Sequence, residues 1–536
     1  MSLPTFSTQQ SLFGVGSLAD NLFPATNRYR LFAEKIWPRL AQARPTLETM
    51  YCADNGRPAA EPVVMAGVCV LQFLERAPDR AAMELLTLHL GWKRALHRDL
   101  DAAAYDPSLL TYFRDRLLEH EEGRLVFDTI LDGLCDAGLV AKRARQRLDS
   151  THVLGVVRQM SSLECVRETL RLALETLAGA VAEAARPAAW PTWWERYVES
   201  KLDYRAEEQT LWEKLDQAGA DAWALLEWVM ELPVAVQAQA KVTLLAQVFD
   251  EYFERVEQAW RGRRQHMTGG ILNPHEPEAQ WRTKGKNKNW IGYQVQVAET
   301  AAEQPVKPGE PTRQFVTAVE TQLATASDEA GLEEVLAVQA AAGRERPSEL
   351  YVDGAYVSAT KIVEARADGW ELLGPAQPSA SKGTGYRAEE FAVDVAARTA
   401  RCPAGEASTQ CSRLEEAASG KVSYRFEWSW KCRDCAQRDA CVGAKQPHRS
   451  LVVGQHHDVL QARRQEMQTN AFTGLMKRRA AIEGTISELV RGHGLRQARY
   501  RGLKKVALQN WLTGAACNVK RWLRLLAWEM DAVGAG

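Results

Sequence analysis

The spacing of apolar residues predicts that the chain begins with a helical domain, over residues 1–143. The segment YDPSLLTYFRDRLLEH shows the pattern. Asp106 is a residue type that caps helices, and Pro107 suits the first helical position. Apolar residues then recur at every fourth position, at Leu109, Phe113 and Leu117. That spacing places them on one face of a helix.

After residue 144 the pattern changes to strands that alternate with short helices. The run around Tyr293 alternates apolar with polar positions, as a strand does. A helix is predicted to start at the capping residue Ser327 and to stop at Gly343. In chain order we predict strands at 145–157, 290–298 and 314–321, a helix at 327–343, a strand at 349–353, a helix at 358–369 and a strand at 370–375. A meander of three strands followed by helix, strand, helix and strand describes a mixed α/β sheet.

Two insertions interrupt this predicted sheet. Residues 161–265 have helical periodicity, as in AWALLEWVM, whereas residues 379–455 lack it and carry five cysteines. After them we expect the core to resume with one long helix over 457–490. The predicted organisation is an α/β core built from 144–160, 266–378 and 456–510, a helical insertion at 161–265, a Cys-rich insertion at 379–455 and a C-terminal helix at 511–536.

Charge is sorted along the chain, although the net charge is only −1. Between residues 461 and 525, 14 lysines and arginines stand against three acidic residues. The segment RTKGKNK, at 282–288, adds four positive charges without an acid. These basic regions favour a nucleic acid partner, and solvated helix surfaces are the alternative.

Hydropathy gives no sign of a membrane segment. The longest apolar run, VVMAGVCVL at 63–71, is far shorter than the roughly 18 residues that a membrane-spanning helix needs. The N-terminus also lacks the basic and then apolar pattern of a signal peptide. We therefore predict a cytoplasmic protein with no membrane partner, associated with the nucleoid when it is bound to DNA.

Two aspartates lie where α/β sheets place ligands. Asp149 lies within the first predicted strand, and Asp353 ends the fourth, immediately before Gly354. Together with Glu483, from a helix packed over the same edge, they would form an oxygen-rich cluster. Such a cluster suits Mg²⁺, and two ions about 3.5 to 4 Å apart can activate the attacking oxygen and stabilise the leaving oxygen of a phosphoryl transfer. Structural roles are the alternative: a turn cap, a glycine turn, and an ion pair between Arg479 and Glu483.

Three segments that contain these acids carry a family resemblance. They are LDSTHV around Asp149, YVDGAYVS around Asp353 and RAAIEGTISELVRGHGLRQARYRGLKK around Glu483. The segments WRTKGKNKNWIGYQVQVAET, CPAG and CRDCAQRDAC extend the likeness along the chain. Together they resemble a bacterial insertion-sequence transposase of the DDE class, with an RNase H-like catalytic core. The resemblance implies that the three acids are catalytic residues and ligands of Mg²⁺ or Mn²⁺.

The function that the resemblance implies is DNA transposition. The protein would bind the terminal inverted repeats of an insertion sequence, with its helical N-terminal domain as a DNA-binding domain, and catalyse metal-dependent strand cleavage and strand transfer. Its partners would be the double-stranded DNA of element ends and target, and it would act on DNA as a homo-oligomer. Two other functions stay open: an RNase H-like nuclease without strand transfer, and a non-catalytic DNA-binding protein derived from a transposase.

Related transposases often carry a Y-x-x-R-x-x-x-E signature with a lysine seven residues after the glutamate. Arg479 and Glu483 match this signature, whereas Met476 stands at the tyrosine position and Val490 at the lysine position. Arg491 follows directly, and we predict that it contacts DNA phosphate in place of the lysine.

The basic loop after this helix is predicted to line a DNA strand by phosphate contacts and stacking. A flexible, solvated turn is the alternative. The full set of predicted DNA-binding residues is Arg479, Arg491, Arg496, Arg499, Tyr500, Arg501, Lys504, Lys505, Lys284, Lys286 and Lys288. His152 is a tempting base, but three positions along a strand reverse the face, so we expect it to point away from Asp149.

Four of the ten cysteines have a spacing that suits a metal ion. They are Cys402, Cys432, Cys435 and Cys441. Disulfides are disfavoured in a cytoplasmic protein, and four thiolates would bind one structural Zn²⁺ tetrahedrally. Because Cys402 lies far ahead of the other three, Cys411 or His448 could take its place. Reduced cysteines packed without a metal are the alternative to zinc.

Overall fold

The computed structural model describes residues 3, 6, 11–52, 59–201, 207–264, 269–284, 289–302, 309–378, 385–417, 420–443 and 445–534. The first part of the chain is helical, as its periodicity predicts. The helices are α1 (Val15–Leu18), α2 (Arg28–Leu31), α3 (Trp37–Gln42), α4 (Arg44–Glu48), α5 (Pro62–Glu75), α6 (Asp79–Leu88), α7 (Leu90–Ala95), α8 (Ser108–Glu119) and α9 (Leu125–Asp136). At the start of α8 the Asp106 carboxylate accepts a hydrogen bond from the Ser108 N–H at 2.8 Å, which is the predicted cap.

The chain then forms one strand of the main sheet and leaves it for the helical insertion. The strand is β1 (Gln146–Leu154). The insertion contains α10 (Ser162–Ala180), α11 (Trp190–Trp194), α12 (Glu208–Val229), α13 (Val234–Gln237), α14 (Ala240–Tyr252), β2 (Phe253–Val256) and β3 (Ala259–Gly262). The hairpin of β2 and β3 differs from the helical expectation, because the turn at Glu257, with a φ of 56°, leaves no trace in apolar periodicity. The insertion has its own apolar core, around Leu174, Leu225 and Phe253.

The remaining strands complete a mixed six-stranded sheet. The next elements are β4 (Gln280–Thr283), β5 (Asn289–Thr300), β6 (Val316–Leu323), α15 (Asp328–Ala341), β7 (Glu349–Tyr351), α16 (Ala359–Ala367) and β8 (Glu371–Leu373). β5 pairs antiparallel with β1 along one edge and with β4 and β6 along the other. β7 runs parallel to both β1 and β8. The predicted mixed α/β sheet is confirmed. β4 is an addition to the prediction, since four residues are too few to show an alternation.

The cysteine-containing insertion is built from short strands. Its elements are β9 (Ala392–Asp394), β10 (Thr399–Arg401), β11 (Gln410–Glu415), β12 (Val422–Glu427), α17 (Arg438–Cys441) and β13 (Ser450–Gly454). β9 pairs with β10, and β11, β12 and β13 form a separate antiparallel sheet. Phe391, Phe426 and Trp428 form the centre of a small core that belongs to this insertion alone.

The long helix predicted over 457–490 is wrong, because three helices occupy this stretch. The last elements are α18 (His457–Glu466), α19 (Asn470–Ala480), α20 (Ile482–His493) and α21 (Leu503–Gly534). Thr469 caps α19 by accepting a hydrogen bond from the Phe472 N–H at 3.2 Å, a local signal that periodicity overlooks. Gly494 ends α20 in the left-handed conformation, with a φ of 78°. α21 is one helix across the boundary that was predicted between residues 510 and 511.

The two faces of the sheet pack against different helices. Val153 of β1 shares one apolar core with the N-terminal helices and with Leu512 of α21. Leu148, on the opposite face of β1, packs with Ile362 of α16. Because side chains alternate along a strand, Asp149 lies on the face of Val153. Although α21 spans 32 residues, neither it nor any other helix of the described ranges is long and apolar enough to cross a membrane.

Candidate active site

Asp149 lies near the middle of β1, opposite Val297 of β5. Its carboxylate accepts a hydrogen bond from the Ser150 N–H at 2.8 Å, and its side chain is only 12% exposed. Burial raises the pKa of Asp149 above its ordinary value, although the positive charge of Arg479 acts against this rise. Repulsion by Asp353 raises the pKa further. A negative charge on Asp149 is therefore costly unless cations lie close by.

Asp353 lies two residues beyond the end of β7, and not at the last position of the strand as expected. Its Oδ1 atom accepts a hydrogen bond from the Ala355 N–H at 2.8 Å and caps a single 3₁₀ turn. A Cβ atom at Gly354 would lie 2.6 Å from the Gln377 amide nitrogen and 3.0 Å from the Pro375 carbonyl oxygen, so glycine allows the turn to pack closely against this segment. The structural role that the Asp-Gly pair suggests is thus present. The second oxygen, Oδ2, faces the side chain of Arg479, 3.7 Å away.

A single arginine joins the three acids. Arg479 lies in the last turn of α19, and Glu483 lies in the first turn of α20. The Nη2 atom of Arg479 is 2.7 Å from Asp149 Oδ2 and 3.7 Å from Asp353 Oδ2. Its Nη1 atom is 3.5 Å from Glu483 Oε1. The fold therefore brings three carboxylates from distant parts of the sequence around one guanidinium group, whereas the sequence suggested only the pair of Arg479 and Glu483.

The cluster is closed at one end and open at the other. Side-chain exposure rises from 12% for Asp149 to 38% for Asp353 and 69% for Glu483. Three carboxylates against one guanidinium leave a surplus of negative charge. Lys284, which is exposed, lowers the pKa of Asp149 as a smaller effect than burial. An open group of oxygen donors with surplus negative charge suits hard divalent cations.

A buried carboxylate on β5 fixes the elements that carry this cluster. Glu299 has no exposed surface and accepts hydrogen bonds from Arg147 at 2.6 Å, Thr485 at 2.6 Å and Arg521 at 3.1 Å. β1, α20 and α21 therefore converge on one side chain. Glu299 was not among the residues predicted from the sequence. The sequence pattern could have identified it, because Glu299 stands at an inward-facing position in the alternation that begins at Tyr293.

The same network reaches the end of α19. Arg147 donates a second hydrogen bond to the Arg478 carbonyl at 3.0 Å. The side chain of Arg478 donates to the Tyr351 hydroxyl of β7 at 3.2 Å. Arg147 lies two positions before Asp149 on the same face of β1, and Arg478 precedes Arg479. These bonds therefore fix the distance between the strand that carries Asp149 and the helix end that carries Arg479.

His152 lies outside the carboxylate cluster. It is on the opposite face of β1 from Asp149 by strand alternation, as expected, and its ring lies 4.9 Å from the ring of Trp290. Burial, together with the charges of Arg496 and Lys284, lowers the pKa of His152 to about 4. His152 is therefore neutral near pH 7 and packs against an aromatic ring.

Three of the predicted DNA-binding residues are held against the protein itself. Arg496 donates to the His152 carbonyl at 2.6 Å. Arg499 donates to the Ala77 carbonyl at 3.1 Å. Burial lowers the pKa of both arginines. The Tyr500 hydroxyl is buried, and burial raises its pKa to about 12. These contacts connect the loop after α20 to the sheet and to the N-terminal region. DNA contacts were predicted for all three residues.

Other basic residues of the predicted set are open to solvent. Arg491, Arg501, Lys504 and Lys284 are exposed. Lys505 is half-exposed and forms an ion pair with Asp115 at 2.8 Å. Lys286 and Lys288 lie outside the described residues. These exposed side chains, unlike the half-buried Arg496, Arg499 and Tyr500, can reach a DNA backbone without breaking contacts inside the protein.

The four cysteines predicted to bind zinc line one small cavity in the second insertion, with a volume of about 20 Å³. They are Cys402, Cys432, Cys435 and Cys441. Cys411 and His448 do not contribute to its lining. Cys411 lies on β11 opposite Phe426, and His448 lies 3.9 Å from the Glu427 carboxylate.

Another group of potential metal ligands lies between α20 and α21. Within the described ranges, only Glu488, His493 and Cys517 place three such atoms within 4.8 Å of one another. Glu488 already accepts hydrogen bonds from Lys520 at 2.8 Å and from Arg521 at 3.0 Å. Burial raises the pKa of Cys517 to about 12 and keeps it a neutral thiol. These contacts favour a structural ion-pair cluster over a metal site.

Comparisons with known proteins identify two matched segments. A family described as a transposase DDE domain matches residues 401–523, and a second, described as a transposase domain (DUF772), matches residues 17–116. The first match contains Glu483 and the four cysteines of the cavity, whereas Asp149 and Asp353 lie outside both. Neither the curated proteins nor the solved structures include a match.

Proposed function

Because the two matched segments indicate an insertion-sequence DDE transposase, we propose that the chain binds the terminal inverted repeats of its element and catalyses metal-dependent DNA strand cleavage and strand transfer. One observation carries the proposal: Asp149, Asp353 and Glu483 meet around Arg479. The substrate is the double-stranded DNA of element ends and target, and the acting form is a homo-oligomer that holds the ends together.

The three carboxylates would hold divalent cations, Mg²⁺ or Mn²⁺. Their donors are all oxygen atoms, which is the ligand type that these hard ions prefer. Asp149 and Asp353 would flank the ions, and Glu483, the most exposed of the three, would complete one coordination sphere. When bound, the ions would activate the attacking oxygen and stabilise the leaving oxygen. The buried position of Asp149 supports this role, because a nearby cation favours its ionised form.

Arg479 would change partners as the cations bind. In the structure its guanidinium group compensates part of the negative charge of all three carboxylates. Once those carboxylates ligate cations, Arg479 would release them and turn its N–H groups toward a DNA phosphate. The planar guanidinium group, with five donors, suits bidentate contact with phosphate oxygens. Arg479 would thus keep the acids together before cations bind and position DNA afterwards.

The exposed basic residues would hold the DNA backbone beside this site. Arg491 lies in the last turn of α20, the helix that begins with Glu483. Arg501 and Lys504 follow in the loop and at the start of α21, and Lys284 lies near Asp149. Such contacts position the duplex without reading its sequence. We do not extend this role to Arg499 and Tyr500, because both are engaged by the N-terminal helices.

An RNase H-like core is part of the proposal. Its support is the mixed sheet, in which β1, β5 and β6 form an antiparallel meander while β7 and β8 run parallel to β1. The carboxylates come from β1 and from the turn after β7, which is its neighbour in the sheet. Ligand sites at such positions are typical of open α/β sheets.

The direct test is a reaction with paired element ends and target DNA in the presence of Mg²⁺. We expect the wild-type chain to cut the ends and to join them to the target, and Glu483→Gln to bind the ends without cutting them. Glu529→Gln is the matched control. Glu529 lies on α21, far along the chain from the three carboxylates, and forms an exposed ion pair with Arg313.

The outcomes separate the proposed function from its two rivals. Cutting without joining would make the protein a nuclease. Binding of the ends by the wild-type chain with no cutting in Mg²⁺ or Mn²⁺ would leave a DNA-binding protein without catalysis. DNA cleavage by Glu483→Gln at the wild-type rate would show that Glu483 is not part of the proposed site.

A further inference from the structure

We propose that Cys402, Cys432, Cys435 and Cys441 bind one zinc ion, which stabilises the second insertion and takes no part in the chemistry on DNA. The inference stands apart from the proposed function. It rests on the cavity that the four side chains line, on the backbone turns that present them, and on the groups around them.

Three backbone turns direct the four thiols to one place. Cys402 directly follows β10, and its carbonyl accepts a hydrogen bond from the Gly405 N–H at 2.8 Å. Gly405 has a φ of 86°, a left-handed conformation that favours glycine. The segment CPAG is therefore a tight turn that begins with a cysteine. Cys432 ends a short 3₁₀ helix, Cys435 follows one turn later, and Cys441 ends α17.

The cavity between the four thiols is small. Its volume of about 20 Å³ compares with the roughly 10–15 Å³ needed for one water molecule. Trp428 and Val442 form part of its wall, so the surroundings are partly apolar. Two of the thiols, those of Cys432 and Cys441, are buried.

The sulfur atoms are spaced more widely than in a closed zinc site. Zn–S bonds of about 2.3 Å place the sulfurs of a tetrahedron roughly 3.8 Å apart. Within the described part of the chain, no three of these four sulfur atoms lie within 4.8 Å of one another. Zinc binding would therefore require rotations about the Cα–Cβ bonds of the cysteines that bring the four sulfurs together.

The surroundings suit a negatively charged metal centre. Four thiolates around one Zn²⁺ carry a net charge of −2. The same cavity is lined by Arg438 and Arg449 and by the ion pair of Lys431 with Glu406, whose atoms are 2.9 Å apart. The Arg449 N–H points at Cys432 Sγ, 3.4 Å away, as a donor to a metal-bound thiolate does.

The cysteine-containing insertion is a small unit that a metal ion would stabilise by linking its turns. Its strands β9 and β10 have three residues each, and its apolar core is small and separate from the main core. Small units of this size are commonly stabilised by a structural metal. With four protein ligands the zinc ion would have no open position for a substrate, so its role would be structural.

The first test uses the purified full-length chain. Elemental analysis should find one zinc per chain, and replacement by Co²⁺ should give the intense visible absorption and sulfur-to-cobalt charge-transfer bands of a tetrahedral four-thiolate site. A wild-type chain that stays metal-free after zinc addition, with normal secondary structure, would overturn the proposal. The same holds for a cobalt spectrum typical of oxygen and nitrogen ligands. Formation of disulfides among the four cysteines in the metal-free, folded chain, with no loss of stability, would also contradict it.

The second test uses matched variants. Cys432→Ser and Cys435→Ser should lose the bound zinc, and Cys411→Ser and His448→Ala should keep it. In case the first two variants misfold, thiol alkylation of the wild-type chain gives an independent measurement. The four thiols should be protected with zinc present and react after chelation, whereas Cys411 should react in both conditions. Equal reaction of all five thiols with and without the chelator would reject the site.

Discussion

Two ion clusters on the same face of the sheet have opposite composition. Around Glu299, one carboxylate meets the guanidinium groups of Arg147 and Arg521 together with the Thr485 hydroxyl. Around Arg479, one guanidinium group meets three carboxylates. The first cluster is fully buried, and the second opens to solvent at Glu483, whose side chain is 69% exposed.

The difference distinguishes a structural ion cluster from the proposed cation site. A buried carboxylate with every oxygen paired keeps the elements around it in place, and nothing further can bind to it. A cluster with surplus negative charge and an open side is not neutralised unless cations bind to it. The first cluster positions the second, because Arg147 and Asp149 lie two positions apart on β1 while Thr485 and Glu483 lie two positions apart on α20.

The largest expected effect separates activity from stability at the open cluster. Glu483→Gln and Asp353→Asn should each lower the single-turnover rate of DNA cleavage by about 10³-fold or more, since a metal ligand contributes several kcal/mol to transition-state stabilisation. Denaturant unfolding of both variants should match that of the wild-type chain. A cleavage rate within tenfold of wild type would mean that the open cluster is not the reaction centre.

The closed cluster should show the reverse behaviour. Glu299→Gln should lower the free energy of unfolding by about 3–5 kcal/mol, because it leaves buried guanidinium groups without their counter-charge. Glu529→Gln, at an exposed ion pair, should lower it by about 0–1 kcal/mol. Tryptophan fluorescence in a denaturant series measures both. Equal stability of the two variants would show that Glu299 does not hold the sheet and helices together.

Arg479→Ala should change the open cluster in two opposite ways. Removal of the competing guanidinium group should strengthen Mn²⁺ binding in the absence of DNA, because no ion pair has to be broken. It should also lower the cleavage rate by about 10²-fold, since a donor to the reacting phosphate is lost. Titration calorimetry and the cleavage assay measure the two effects, with Arg313→Ala as the control for loss of an arginine in an exposed pair. Weaker Mn²⁺ binding in Arg479→Ala would contradict the exchange of partners.

The pH dependence of stability should reflect Asp149. The pKa of the Asp149 carboxyl group is raised in the folded chain, whereas in the unfolded chain the same group has a pKa of about 3.9. The folded state therefore binds the carboxyl proton more tightly than the unfolded state does. The resulting stabilisation is fully present below that pH and is lost as the pH rises through the folded pKa. Asp149→Asn should remove this part of the pH dependence in metal-free buffer. A pH profile unchanged by the substitution would show that the carboxylate is not strained by its surroundings.

The smallest expected effect concerns the basic loop. Arg501→Ala should reduce the salt slope of DNA binding by about one, as loss of one phosphate contact does. Arg499→Ala should leave the salt slope unchanged and lower stability, because Arg499 lies over the Phe73 ring at 4.8 Å and bonds to the Ala77 carbonyl. Equal salt slopes for Arg501→Ala and the wild-type chain would show that Arg501 does not contact a DNA phosphate.

Local patterns in the sequence were sufficient for most elements of the sheet. The alternation around Tyr293 predicted β5, and Ser327 caps α15 through a hydrogen bond from the Ala330 N–H, as expected. The failures occurred where one residue overrides a longer pattern. Thr469 starts a new helix within a stretch of helical period, and periodicity alone cannot detect that break.

Long-range contacts set the limit at the site. Acid spacing and resemblance pointed to Asp149, Asp353 and Glu483, but the partners of Arg479 depend on how α19 packs over β1 and β7. Positive charge also says nothing about burial: Arg499 was predicted to contact DNA, and only the structure shows that its side chain bonds to the Ala77 carbonyl. Glu299 could have been noticed as an acid at an inward strand position.

The most direct measurement counts Mn²⁺ ions bound to the full-length chain by electron paramagnetic resonance. The wild-type chain is compared with Asp149→Asn, Asp353→Asn and Glu483→Gln, with Glu529→Gln as the control. Our account predicts that each of the three substitutions weakens Mn²⁺ binding and that the control does not. Mn²⁺ binding that is the same in all five proteins would contradict the claim that the three carboxylates form a cation site.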